Sequence, residues 1–189
     1  MRKSRKETAK TRERIVKKAA HAFMRDGIVE SGLLNVMASA GLTQGGFYRH
    51  FASKDQLVSE VVEKSFDAVL RHLEEKDGDE ALAEILRDYL SQKHRDNYDE
   101  ACPLAALGTE LPRADRKTRD AASAGIDRFI AAIENKLSSS HKDSKARARA
   151  IAAAMVGGIV ISRITTDEKL SNSILRDTRA FVLEAERTA

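Results

Sequence analysis

Residues Ala40–Leu57 read AGLTQGGFYRHFASKDQL, and the adjacent glycines Gly45 and Gly46 pose the question that decides the fold. The flanking residues suit a short helix, with Thr43 placed to cap it and Phe47 and Phe51 four apart on one face. Each glycine inside a helix costs about 1 kcal/mol relative to alanine. Two in succession call for a compensating interaction. Immediately upstream, LLNVMASA gives a helix of two turns with Leu33, Val36, Met37 and Ala40 on one side. Gly41 follows it, where a left-handed cap residue belongs. Two short helices joined by a glycine-bearing turn form the pattern of a helix-turn-helix.

The rest of the chain extends that pattern. Upstream, residues 1–7 form a loose basic arm, and Ile15, Ala19, Ala22 and Phe23 predict a first helix ending near Asp26-Gly27. Downstream, Ser53-Lys-Asp-Gln56 has capping-box spacing and opens a long helix to about Glu75. Asp77-Gly78-Asp79 breaks it. Further helices are expected near 80–95, 103–111, 116–138, 144–165 and 170–186, with Ser138–Ser140 as a turn. The clearest apolar stripe is Ile126, Phe129, Ile130, Ile133 and Leu137. Only two prolines and ten glycines punctuate 189 residues, and no alternation asks for a sheet. The expectation is an all-α fold of about nine helices. Residues 1–54 form the arm and helix-turn-helix, and 55–189 form a larger helical domain.

Charge is distributed unevenly between the two parts. Residues 1–54 hold 12 Lys/Arg against 4 Asp/Glu, whereas residues 55–189 hold 21 against 25. A basic segment on an acidic remainder points to a polyanionic partner, although a solvated basic leader would carry the same charge. The helix-turn-helix selects the first reading, with double-stranded DNA as the partner. Thr43, Gln44, Gly45 and Gly46 would then form the first turn of the helix that enters the major groove. Glycine there removes the Cβ between helix end and sugar-phosphate wall, and free amides can point at phosphate oxygens. The alternative is that the glycines pack against a neighbouring helix.

At these residues the chain resembles the DNA-binding domain of the TetR family of transcriptional regulators. AGLTQGGFYRHFASKDQL matches the family's turn, its Gly-bearing short helix, and its Tyr, His-Phe and Lys in order. The resemblance implies a nine-helix architecture. It places Gln44 on a base edge, and Thr43, Tyr48 and Lys54 on phosphates of the operator. Arg49 and His50 join that DNA-binding set, His50 as a structural hydrogen bonder, while Phe47 and Phe51 make the small core. Gln pairs bidentately with adenine, and a lysine at a helix start adds charge to an anion-seeking end. Three positions depart from the family's pattern. Gly32 and Leu33 stand where a capping threonine is common, Met37 replaces a small alanine, and Gly46 replaces a threonine.

The resemblance further implies a small-molecule effector pocket and a homodimer interface in the C-terminal helices, and hence a ligand-responsive repressor. For the pocket, the candidates are Tyr89, Leu104, Leu107, Phe129 and Ile133, each of which also suits ordinary core. For the interface, the small residues Ala146, Ala150, Ala153, Ala154, Gly157 and Gly158 permit close packing with Ile174, Thr178, Phe181 and Val182. Two such helices from each subunit would make a four-helix contact, unless these faces pack only within one subunit.

Other chemistries lack signatures. The histidines at 21, 50, 72, 94 and 141 have no paired ligand spacing, so no metal is expected. No phosphate loop, nucleophile elbow or cysteine cluster occurs, so neither a cofactor nor enzymatic activity is expected. One alternative function is thiol-redox sensing, because Cys102-Pro103 starts a helix whose dipole would acidify the thiol. Another is a helical ligand-binding or enzymatic protein with a vestigial helix-turn-helix. A single cysteine and a basic start without an apolar leader fit the cytoplasm. The most apolar run, AIAAAMVGGIVI at 150–161, falls short of the roughly 20 residues a membrane span needs.

Overall fold

A computed structural model describes residues 5–99, 101–137 and 143–187. All regular secondary structure among the described residues is helical: α1 (Arg5–Asp26), α2 (Leu33–Ser39), α3 (Lys54–Glu74), α4 (Ala81–Tyr89), α5 (Gln92–Asp96), α6 (Pro103–Leu107), α7 (Arg116–Glu134), α8 (Ser144–Ile164) and α9 (Glu168–Arg187). Two 3-10 segments, Gln44–Arg49 and Leu111–Arg113, lie between them.

Local chemistry explains the boundaries. Ser53 Oγ accepts the Gln56 N–H at 3.1 Å to start α3. The Gln56 side chain reaches back to the Ala52 N–H at 2.6 Å, one residue beyond the usual partner in a capping box. Asp115 accepts the N–H groups of Lys117 and Thr118 to start α7. Gly27 (φ 85°) and Gly41 (φ 69°) end α1 and α2 in the left-handed region, as their places in the sequence predict.

Several expected boundaries move. The helix expected over 80–95 is two, because Leu90 leaves helical geometry (ψ 56°) and Ser91 caps α5 by accepting the His94 N–H. The helix expected over 103–111 stops at Leu107 and resumes as a 3-10 turn. The one expected over 116–138 stops at Glu134, and Ser138–Ser140 lies outside the described residues. Within the supposed basic arm, Arg5–Glu7 is already helical. The short helix with the paired glycines is 3-10 rather than α.

Two cores organise the packing. The first joins Ile15, Phe23, Val36, Met37, Phe47, Phe51 and the α3 residues Leu57, Val61, Val62 and Phe66, and is closed from downstream by Ala101, Leu107, Leu111 and Ala122. The second gathers Leu70 and Leu73 of α3 with Ile85, Leu86, Tyr89, Phe129, Ile133, Met155, Ile159 and Leu175. Fully burying each large side chain contributes about 1.5–3 kcal/mol. Helix α3 runs through both cores, and Leu104 of α6 packs on both. Against α3, helix α7 comes so close that a Cβ on Gly125 would lie 2.3 Å from the Phe66 ring.

Candidate nucleic-acid interface

The 3-10 segment Gln44–Arg49 is anchored on one side and open on the other. Phe47 is fully buried and stacks on Phe51 with ring centroids 5.3 Å apart. Its neighbour Tyr48 meets Phe47 edge-on and is 71% exposed. Thr43, Gln44, Gly45 and Arg49 are exposed, while Gly46, His50 and Lys54 are half-buried. The first helical hydrogen bond runs from the Gly46 N–H to the Thr43 carbonyl at 3.0 Å, which puts the Gln44 and Gly45 amides ahead of the ladder. Thr43 is the N-cap by backbone geometry, yet its side chain does not cap.

Neither glycine is needed inside the protomer. A Cβ on Gly45 would meet nothing within 4 Å, and one on Gly46 would make ordinary contact with Met37 Cε at 3.9 Å. Neither residue adopts a positive φ. Tight packing against a neighbouring helix therefore does not account for the pair.

Arg12 of α1 fixes the end of this segment. Its guanidinium donates to the His50 carbonyl and to the Glu60 carboxylate of α3, and it lies 4.1 Å from the centre of the Phe51 ring. Lys54 is less available than its sequence position suggests. Its ammonium donates to the Ile28 carbonyl at 2.6 Å, so part of its donor capacity holds the α1–α2 loop. Gly32 caps α2 through an extended backbone with no side-chain bond, in keeping with the missing threonine.

The same loop is gripped from the larger domain. The Glu110 carboxylate, between α6 and the second 3-10 turn, accepts the Ile28 N–H at 2.9 Å and the Val29 N–H at 3.0 Å. Gly27 makes room for it, since a Cβ there would lie 2.6 Å from Glu110 Oε1. His21 of α1 also meets Asp99 at 3.2 Å. Sequence reading missed Glu110, because its partners lie 82 and 81 residues away and leave no local pattern.

The pocket candidates divide between the cores. Tyr89, Phe129 and Ile133 come together in the second core, with the Tyr89 and Phe129 rings 6.1 Å apart. Leu107 belongs to the first core, and Leu104 touches both. Beside Tyr89 lie polar groups that the sequence reading did not assemble. His94 Nδ1 is 2.7 Å from the Tyr89 carbonyl, and the Cys102 N–H points at His94 Nε2 at 3.3 Å. This pattern requires the neutral tautomer protonated on Nδ1, and burial lowers the pKa of the ring accordingly. Arg163 of α8 donates from Nε to the Arg95 carbonyl and from Nη2 to the His94 carbonyl.

Cys102 departs from the redox expectation. It is fully enclosed, and burial pushes its thiol pKa up rather than down. The helix behind it is only five residues long. The interface candidates also sort by direction. Gly158 packs inside the protomer, where a Cβ would lie 2.9 Å from Leu90 and 3.3 Å from Thr178, and Val182 is buried in the second core. Ala153 and Phe181 face outward, Gly157 has open space, and Ala154, Ile174 and Thr178 are half-buried. Ile161, Ile164 and Leu170, absent from the sequence reading, are exposed beside them.

Among the described residues, no group of three or more His, Cys, Asp or Glu is arranged to hold a metal, and no helix is long and apolar enough to cross a membrane.

Comparison with known proteins follows the same two-part division. Residues 15–61 match the family model for bacterial regulatory proteins of the tetR family, and residues 79–174 match the LmrA/YxaF-like C-terminal domain of transcriptional regulators. The HTH-type transcriptional regulator AcrR of Shigella flexneri is 36% identical over 64 residues, which is 34% of this chain and 30% of that protein. The match thus spans under a third of that relative. The reduced form of Escherichia coli NemR superposes with a TM-score of 0.77 at 20% identity, covering 92% of this chain and 95% of that one. AibR, solved in complex with isovaleryl coenzyme A and operator DNA, gives a TM-score of 0.61 at 17% identity, covering 87% and 96%. These two structures share the fold.

Proposed function

This chain belongs to the TetR family of bacterial transcriptional regulators, a non-enzymatic family of DNA-binding proteins, and we propose that it is a homodimeric repressor released from its operator by a small molecule. The observation that carries the proposal is that neither Gly45, which faces open space, nor Gly46, where a Cβ would make only ordinary contact, is required to be glycine by anything inside the protomer. Two helix-weakening residues with no role inside the protomer suit a surface where another molecule's backbone comes close. Gln44 reads a base edge from that surface, and Thr43, Tyr48 and Arg49 grip phosphates beside it. Lys54 and His50 contribute mainly by holding the α1–α2 loop and by receiving Arg12.

Dimerisation uses the outward apolar side chains of α8 and α9, with Ile161, Ile164 and Phe181 around the small residues Ala153 and Gly157. Pairing sets two heads about 34 Å apart, on successive major grooves. The effector enters the second core near Tyr89, Phe129 and Ile133 and favours an arrangement in which that spacing is lost. The AibR structure holds both a small molecule and operator DNA, so this fold accommodates both partners. The protein works in the cytoplasm, where its operator lies.

Selection of bound sequences from a random DNA pool tests the proposal, followed by binding to the selected site. Gln44→Ala should weaken binding to that site by about 1–3 kcal/mol and leave random DNA unaffected. Arg49→Ala should weaken all sequences alike and reduce the salt slope by about one. A pool with no enriched sequence, or a Gln44→Ala variant that weakens selected and random DNA equally, overturns this reading.

A further inference from the structure

The Tyr89 hydroxyl of the second core, which has only the weakly accepting Cys102 thiol beside it, and Arg163 Nη1 are buried without a nitrogen or oxygen hydrogen-bond partner. Tyr89 is 94% buried, and its polar neighbours are the Cys102 thiol and the Arg163 guanidinium. The other Arg163 nitrogens donate to the Arg95 and His94 carbonyls, and the guanidinium carbon sits 4.6 Å from the centre of the Tyr98 ring. These contacts hold the cation in place, and the Asp96 carboxylate favours its charge through space without a salt bridge. Among the described residues, no carboxylate forms a salt bridge with Arg163. The guanidinium is half-buried with Nη1 fully covered, its direct acceptors are neutral carbonyls, and Asp96 acts on it only through space, so Nη1 is left without an acceptor of its own.

The neighbouring groups do not complete it. Both His94 nitrogens are engaged, by the Tyr89 carbonyl and the Cys102 N–H, and a protonated thiol is a weak acceptor. The missing partner must therefore accept from a phenol and a guanidinium together and should carry negative charge. The Phe129 ring lies 6.1 Å from that of Tyr89, and Leu86 and Ile133 belong to the same apolar core. We infer that Tyr89 and Arg163 anchor the oxyanion of a small organic anion, with a carboxylate as its simplest form and an apolar body lying against Phe129 and Ile133. This deepens the effector reading proposed above and rests on it only for the consequence at the operator. The α6 helix connects the two sites, since Cys102 is its N-cap and its chain continues to Glu110 on the α1–α2 loop.

Benzoate supplies a carboxylate on an apolar ring, benzamide is its neutral control, and inorganic phosphate tests the oxyanion alone. Each is titrated at millimolar concentration into the full chain, following both melting temperature and operator affinity. Benzoate should raise the melting temperature saturably, and benzamide should not. Arg163→Gln should weaken the benzoate effect on the order of 10- to 100-fold, and Tyr89→Phe about 5-fold. Tyr89→Phe should also melt at or above wild type without benzoate, because it removes a buried unpaired hydroxyl. If Arg163→Gln does not fold, Tyr89→Phe decides.

Stabilisation by phosphate in place of benzoate, still dependent on Arg163 or Tyr89, supports the oxyanion site and assigns it to phosphate-bearing ligands. The inference is overturned if neither anion stabilises wild type, or if the variants respond as wild type does. Binding through Arg163 that leaves operator affinity unchanged keeps the anion site and removes the effector role assigned to it above.

Discussion

At the seam between α3 and α7, a Cβ on Gly125 would sit 2.3 Å from the Phe66 ring, whereas on the outward edge of the head a Cβ on Gly45 would meet nothing within 4 Å. Both glycines lie within helical segments, and neither has the left-handed backbone that favours glycine. The seam needs a missing side chain so that the protein can close on itself. The edge has no such internal need. A glycine's purpose is thus read from what stands opposite it, and at Gly45 and Gly46 nothing inside the protomer requires one.

Alanine substitutions across the two regions should form a graded series. Gly125→Ala should be the most damaging, about 3 kcal/mol and a fall in Tm of roughly 6–12 °C, because a packed aromatic ring cannot yield. A Tm within 2–4 °C of wild type, the shift expected for about 1 kcal/mol, would mean that α7 can draw away from α3 and that the seam is loose. Gly27→Ala comes next at about 2 kcal/mol, since alanine must take a positive φ and also push the Glu110 carboxylate off the loop amides. Urea denaturation measures it. A fully stable Gly27→Ala would show that the loop does not depend on Glu110.

Gly158→Ala should cost only about 1 kcal/mol, because its nearest obstacle is a methyl end of Leu90 that can rotate away. Gly45→Ala and Gly46→Ala close the series on the other side of zero. Each should gain up to about 1 kcal/mol of stability. At least one should nevertheless bind the selected operator roughly tenfold more weakly, through a displaced phosphate contact. Loss of stability in both, with full binding by the folded fraction, would erase the contrast between edge and seam.

What the sequence discloses follows the range of the interactions. The Ser53–Gln56 cap, Gly27 and Gly41 as helix ends, and the Phe47–Phe51 pair all depend on neighbours within a few residues, and all were legible. The break at Leu90 was masked because its apolar side chain continues the helical period, although Ser91 offered a cap signal. The 3-10 geometry of Gln44–Arg49 was also hidden, since Phe47 and Phe51 share a face under either reading. Arg163 and Glu110 could not be foreseen at all. Their partners are carbonyls of α5 and amides of the α1–α2 loop, far away in sequence, and any sequence supplies those. For the same reason, the fate of Gly125 depended on Phe66 arriving from another helix.

Glu110 bears on how freely such a head could be transplanted. Cutting the chain after α3 would take away the carboxylate that holds the Ile28 and Val29 amides, and with it Leu107, Leu111 and Ala122 from the first core. The excised fragment would retain its basic surface but expose an apolar flank and leave Lys54 to hold the loop before α2 without Glu110. A chimaera that joins this head to a foreign C-terminal domain must therefore import a matching acceptor at the place of Glu110, together with the apolar cover around it. Portability ends where the head borrows its structure from the larger domain behind it.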